Sequence, residues 1–216
     1  MEKRKHVKPF IFFDFDGTIV DSMDLCVQGV LKAMRHLGLP EPPIALCEAC
    51  NGPTFEETVP MLGIPPERAE EYYAVRAAAE DELCEAINKP YPGVGDMLRA
   101  LSGKAELCIV SNGQRSYIDQ CIALFGFEGL FSHIEGSRPG RTKTQALKEM
   151  LDALRPERAV MVGDRLGDLM AGKACGLPTV AACYGFGTPE EWDVATWGAR
   201  DMQEMQRVLE AFIQGI

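Results

Sequence analysis

Histidine is scarce in this chain. His6, His36 and His133 are scattered, none stands at metal-ligand spacing, and no imidazole cluster for a zinc site is in view. Positive charge is also in deficit: 22 Lys and Arg face 32 Asp and Glu, for a formal net charge of −10. That balance argues against a nucleic-acid surface and against docking on an anionic membrane. It does not exclude a small phosphate ester, because one metal ion and one lysine can reverse the local field. No apolar run approaches the length of a membrane span, and there is no repeat or low-complexity stretch. Residues 1–8 are basic but flow into a short strand without a signal-peptide core or cleavage site, so the expected location is the cytoplasm.

A disulfide framework is missing too. The eight cysteines are even in number, yet a chain of 216 residues can build a core without staples. Cys108, within the apolar run 107–110, reads as a small buried hydrophobe. Cys47 and Cys50 form a C-x-x-C with no second pair at zinc-ribbon spacing and no strand–helix context for a thioredoxin site. They read as an incidental helical pair.

Hydrophobic residues make up 46% of the chain and charged residues 25%, an ordinary globular balance that allows a core with a modest insert. The most informative stretch is Phe10-Ile11-Phe12-Phe13-Asp14-Phe15-Asp16-Gly17-Thr18. Four apolar residues in a row suit a strand buried on both faces of a parallel sheet. Side chains two apart on an extended chain leave by the same side, so Asp14 and Asp16 are expected to face one spot at the strand's carboxyl end. Gly17 lets the chain turn there, and ligands of open α/β sheets bind at that edge. Two acids so placed favour a divalent cation, a nucleophile with a proton donor, or both. A polar turn is the bland alternative. A calcium loop fails, since Ile19 stands where its glycine belongs and Leu25 where its bidentate glutamate belongs.

The pattern predicts a first strand over 8–13 and a helix from Asp21 or Ser22, either of which could cap it. Residues 22–88 then show only helical periodicity, broken at 38–43, 52–53 and 63–66, with the last helix over 67–87. Pro90-Tyr91-Pro92-Gly93 reads as a return linker. Strands are expected at 106–110, 132–135, 159–162 and 179–182, with helices at 114–125, 142–154, 167–175 and 201–213. The fold class is α/β, a doubly wound parallel sheet with an inserted all-helical segment. The core is 1–20 plus 90–216, and the insert is 21–89.

The other strand ends repeat the theme. Ser111-Asn112-Gly113 could hold phosphate oxygens, although taken alone it reads as a helix cap. Lys143 opens a helix, where it opposes the dipole unless an anion faces it. Gly163-Asp164 ends another hydrophobic strand, with Asp168 four residues on; that spacing brings two side chains to one face if a helical turn begins there. Capping of the next helix is the plainer reading of Asp168.

In this order, Asp14-Phe-Asp16-Gly17-Thr18, Ser111-Asn112, Lys143 and Gly163-Asp164-x-x-x-Asp168 resemble the haloacid dehalogenase-like hydrolases. Asp21-Ser22, Pro92-Gly93-Val94 and Tyr184-Gly185-Phe186-Gly187 look most like the phosphoglycolate phosphatase and β-phosphoglucomutase branch. The resemblance implies a Rossmann-like core with a small helical cap. It implies Asp14 as nucleophile, Asp16 as general acid/base, and Ser111, Asn112 and Lys143 around the transferring phosphoryl group. It further implies magnesium held by Asp14, the Asp16 carbonyl and Asp164, with Asp168 in support. One departure stands out: Thr144 follows Lys143 where the family commonly has proline, which makes Arg141 the runner-up cation. The activity implied is hydrolysis of a small phosphorylated metabolite. A phosphomutase and a catalytically silent binding protein are the alternatives. The loop Asn51-Gly52-Pro53 resembles the segment that inspects substrate.

Overall fold

The computed structural model describes residues 8–216; most of the basic start, with His6, lies outside the described residues. In chain order the elements are β1 (Phe10–Phe13), β2 (Val20–Asp21), α1 (Met23–His36), α2 (Ile44–Glu48), α3 (Phe55–Met61) and α4 (Ala69–Ile87). There follow β3 (Lys89–Pro90), α5 (Val94–Ser102), β4 (Glu106–Val110), α6 (Arg115–Phe125), β5 (His133–Glu135) and α7 (Lys143–Leu154). The chain ends with β6 (Ala159–Gly163), α8 (Leu166–Ala174), β7 (Thr179–Ala182), α9 (Pro189–Trp192), β8 (Trp197–Ala199) and α10 (Met202–Gln214).

Six strands form one parallel sheet in the order β5-β4-β1-β6-β7-β8. β1 lies in the middle because every one of its side chains can be buried. Ile11 and Phe13 pack on one face with Leu107, Ile109, Val160 and Val162. Phe12 packs on the other with Cys108, Met161 and Leu147. Each such side chain contributes about 1.5–3 kcal/mol when fully buried. Strand order reverses around β1, and the crevice at such a reversal is where doubly wound sheets bind ligands.

The segment between β2 and β3 contains only helices, with a short turn at Pro66–Arg68 leading into α4. Cys26, Val30, Met34, Val59, Leu62 and Tyr72 belong to an apolar cluster of its own. Cys47 and Cys50 lie in the same cluster, each thiol donating to a nearby backbone carbonyl, and all eight cysteines are free. β2 and β3 pair antiparallel, so the two chain crossings into and out of this segment form a narrow ribbon. No helix among the described residues is long and apolar enough to cross a membrane.

Several details depart from expectation. The first strand begins at Phe10 and not at Lys8, directly after Pro9, which has no N–H to donate to a ladder. Asp21 belongs to β2, and Ser22 stands at the cap position of α1 without a side-chain capping bond. α5, α9 and β8 were not expected. α9 and β8 are four and three residues long, and β8 exposes Trp197 and Gly198 at the sheet edge, so neither carries a readable period. The ribbon strand β3 lies where a plain linker was expected.

Candidate active site

Parallel register brings the site together. Phe13 pairs with Ile109 of β4 and with Val162 of β6, so Asp14, Ser111 and Asp164 all leave the sheet at one edge. The Asp14 N–H donates to the Val162 carbonyl at 2.8 Å, tying the first acid to the strand that carries Asp164. Thr142 caps α7 by accepting from the Gln145 N–H, with Gln145 reaching back in return. Such a cap stabilises a helix by about 1 kcal/mol and here fixes Lys143 in the first turn.

Lys143 Nζ lies 2.7 Å from Asp14 Oδ1 and also donates to Asp168 Oδ1. These contacts are what offset the unfavourable dipole at that position. Asp14, Asp164 and Asp168 are buried, and each offers a carboxylate oxygen within 4.8 Å of the others. Three carboxylates against one ammonium leave two negative charges uncompensated. The cost appears in the protonation of Asp14 and Asp164. Burial pushes Asp14 up to about 7, with Asp168 adding repulsion and Lys143 opposing. Burial, followed by the charges of Asp168 and Asp14, raises Asp164. Burial alone would lower Lys143, but Asp14 and Asp168 override it and hold the ammonium above its ordinary value.

Asp164 is closely enclosed. Its Oδ2 accepts from the Phe186 N–H at 2.7 Å, while its buried Oδ1 has no protein partner. Gly17, at φ +76°, is required on two counts: the turn is left-handed, and a Cβ there would collide with the Asp164 carboxylate. An orphaned carboxylate oxygen inside a cluster with excess negative charge fits an oxygen-seeking divalent cation such as magnesium.

Asp168 combines both of its readings. Oδ2 accepts from the Arg165 N–H at 3.0 Å, capping α8, while Oδ1 holds Lys143. Asp164 precedes that helix, and Arg165 between them is extended. The shared-helical-face argument therefore does not apply; the turn out of β6 brings the two acids together.

Asp16 occupies a different setting. Its Oδ1 accepts from the Tyr117 hydroxyl at 2.8 Å, and Tyr117 in turn accepts from Asn88 Nδ2 at 2.8 Å. Burial raises this carboxyl, opposed by hydrogen bonds from Ser22 and Tyr117 and by the charges of Lys143 and Arg76. The two acids of one motif thus have different partners, an ammonium for Asp14 and a phenol for Asp16. Both line a cleft of about 630 Å³, counting its open mouth, between the sheet edge and the helical segment.

Ser111 is buried at the cleft, its Oγ accepting from the Gly113 N–H at 2.9 Å; Gln114, not Ser111, holds the cap position of α6. Asn112 differs from expectation, because its amide donates to the Gly52 carbonyl at 2.8 Å. Arg165 Nη1 donates to the neighbouring Asn51 carbonyl at 3.2 Å. Two side chains of the sheet edge therefore grip consecutive carbonyls of the helical segment's loop. Arg141 is engaged by Glu135, Glu149 and the Gly136 carbonyl, which leaves Lys143 as the cation beside Asp14. Tyr117 and the Phe186 N–H were missed in the sequence. A lone tyrosine in an amphipathic helix carries no sign of a carboxylate partner, and a backbone donor has no residue type to read.

Comparison with known proteins fits this geometry. The model of one family, described as Haloacid dehalogenase-like hydrolase, matches residues 11–182. The chain belongs to that family. A 5'-nucleotidase of Pseudomonas aeruginosa is 29% identical over 214 residues, covering 94% of this chain and 96% of that protein. A phosphoglycolate phosphatase of Aquifex aeolicus is 30% identical over 184 residues, covering 82% and 85%. Tyrosine-protein kinase PtkA of Mycobacterium tuberculosis is 32% identical over 183 residues, covering 82% of this chain but only 62% of the kinase. A solved structure of that kinase has a TM-score of 0.77 at 29% identity, over 95% of this chain and 99% of that one. In this haloacid dehalogenase-like hydrolase, the six-stranded sheet and its flanking helices are the family's Rossmann-like fold.

Proposed function

We propose that this phosphoric monoester hydrolase cleaves a small phosphate monoester by way of a phosphoryl group carried on Asp14. Residues 21–89 act as its cap. The observation that carries the reading is the buried group of Asp14, Asp164 and Asp168 around Lys143, with Asp16 held apart by Tyr117. Asp14, Asp164, Asp168 and the Asp16 carbonyl would hold magnesium, which when bound supplies positive charge to the equatorial phosphoryl oxygens.

The chain's own residues then divide the work. Lys143 favours the ionised form of Asp14 against the burial that raises it and, with Ser111, steadies the phosphoryl group. An Asp14 oxygen attacks phosphorus in line, and the bond to the ester oxygen breaks. Asp16 gives its proton to that departing oxygen, then takes one from the water that cleaves the aspartyl-phosphate. Burial, which raises this carboxyl, favours the proton needed for the first role, and the Tyr117 hydrogen bond favours the carboxylate needed for the second. Asn112 and Arg165 hold the cap loop over the site and keep bulk water out. The free cysteines support a reducing compartment, and the cytoplasm is the proposed place of action.

Purified protein given p-nitrophenyl phosphate is expected to release phosphate, to stop in excess chelator, and to resume with added magnesium. Magnesium at a hundred times its dissociation constant should also stabilise the fold by about 2.7 kcal/mol, visible as a rise in melting temperature. Full turnover in excess chelator would refute the metal assignment. Kinship with a protein named as a tyrosine kinase favours a second reading, in which the phosphoryl group passes to a tyrosine hydroxyl. Release of inorganic phosphate with no protein acceptor present separates the two.

A further inference from the structure

We propose that the leaving group of the substrate carries no second negative charge. It is a hydrogen-bond-donating alcohol, uncharged or bearing an ammonium, and not a carboxylate, a phosphate or a bisphosphate. This inference rests on the hydrolysis proposed above and narrows it to a substrate class.

Arg76 and Glu80, four apart on one face of α4, line the cleft together with Asp16. At first sight Arg76 invites an anionic substrate. Its nitrogens are already engaged: Nε lies 2.7 Å from Glu80 Oε1, Nη1 donates to the Tyr72 hydroxyl at 3.1 Å, and Nη2 to Cys26 Sγ at 3.3 Å. One guanidinium face rests on Phe55, 4.4 Å from its ring centroid. The side chains of the ion pair are 5% and 14% exposed, so solvent screens them little. Gly29 makes room for the pair, since a Cβ there would come within 2.8 Å of Glu80 Cγ. A guanidinium held by a carboxylate, a phenol, a thiol and an aromatic face is a structural cation, not a receptor for another anion.

The charges around it agree. Lys143, the other cation lining the cleft, is held by Asp14 and Asp168. Against these two the cleft presents Asp14, Asp16, Glu80 and Asp81. A second groove, which shares Asp14, Asn112 and Lys143 with this cleft, does carry Arg138, Arg141 and Arg165, but Asp16 does not line it. The leaving oxygen must reach the Asp16 proton, so the leaving group projects toward Glu80 and Asp81. Those arginines are in any case paired with Glu135, Glu149 and Glu191. Hydroxyls or an ammonium would find acceptors beyond Asp16, whereas an anion would meet like charge. Like-charge contact in a partly buried site is strongly unfavourable.

Phosphate release from two sets of esters tests this, with p-nitrophenyl phosphate as the common reference. One set is glycerol phosphate, phosphoethanolamine and a hexose monophosphate; the other is phosphoglycolate, pyrophosphate and a hexose bisphosphate. The best of the first set is expected to exceed every member of the second by roughly a hundred-fold in kcat/KM. Glu80→Gln should raise phosphoglycolate relative to the reference by about ten-fold. Asp81→Asn, at an exposed position outside the buried pair, should act in the same direction and serves if Glu80→Gln fails to fold. Phosphoglycolate, pyrophosphate or the bisphosphate as best substrate, or equal rates across the sets, would overturn the inference while leaving hydrolysis standing. Absence of turnover on the aryl ester itself would instead defeat the hydrolase reading, and this inference with it.

Discussion

Asp14→Asn is expected to lower turnover of p-nitrophenyl phosphate by at least about ten-thousand-fold, because the amide cannot form the acyl phosphate. The fold is expected to survive and even to gain. In the metal-free protein Asp14 is pushed up to about 7 by burial and by Asp168. A carboxyl raised in the folded state costs stability at every pH above its unfolded value, and the cost grows until the pH passes the folded one. Asparagine keeps the shape without the charge, so the melting temperature in chelator at pH 8 should be no lower than the parent's. Residual activity within ten-fold of the parent would remove Asp14 from its role. A large drop in melting temperature would show that its charge supports the fold.

Lys143→Met should have the opposite stability signature with a comparable functional loss. Lys143 is the only cation touching Asp14 and Asp168 among the described ion pairs, and its removal leaves three buried carboxylates unneutralised. Breaking a buried ion pair by deleting one partner destabilises by about 3–5 kcal/mol. A loss of that size should appear in urea unfolding in the presence of chelator. Magnesium should restore part of it, since a cation in the cluster replaces the missing charge. Turnover should fall by roughly a hundred- to ten-thousand-fold even with magnesium, because charge on the phosphoryl oxygens is left unbalanced. An unchanged urea midpoint together with parental activity would contradict the account of Lys143.

How much of this was legible in the sequence varies with the kind of signal. β1 and the segment 106–110 were readable because burial on both faces leaves an unbroken apolar run. Their carboxyl ends were readable as well, because Asp14, Ser111 and Asp164 change the chemistry there within a residue or two; the register that aligns them is seen only in the sheet. The short edge strand β8 and the ribbon of β2 and β3 were not readable, since two or three residues carry no period. Within the site, acids at strand ends announce themselves, and Lys143 did so by opposing its own helix. Asn112 did not: its reach to the Gly52 carbonyl depends on where the helical segment lies, sixty residues away in the chain. The same holds for Tyr117 against Asp16 and for the Arg76–Glu80 pair, whose i,i+4 spacing looks like any solvated helical face. Only packing shows that this face is turned inward. The departure at Thr144 proved compatible with Lys143 beside Asp14, because the Thr142 cap sets that helix start.

The most direct test is chemical capture of the phosphoryl group on Asp14. An Asp16→Asn variant should still accept a phosphoryl group from p-nitrophenyl phosphate, whose leaving group needs no proton, but should release it slowly for want of a base. Borohydride reduction during turnover, followed by peptide mass spectrometry, should then find homoserine at position 14. An unmodified Asp14 in a variant that still bursts with nitrophenolate, or a reduced carboxyl at any other position, would contradict the account.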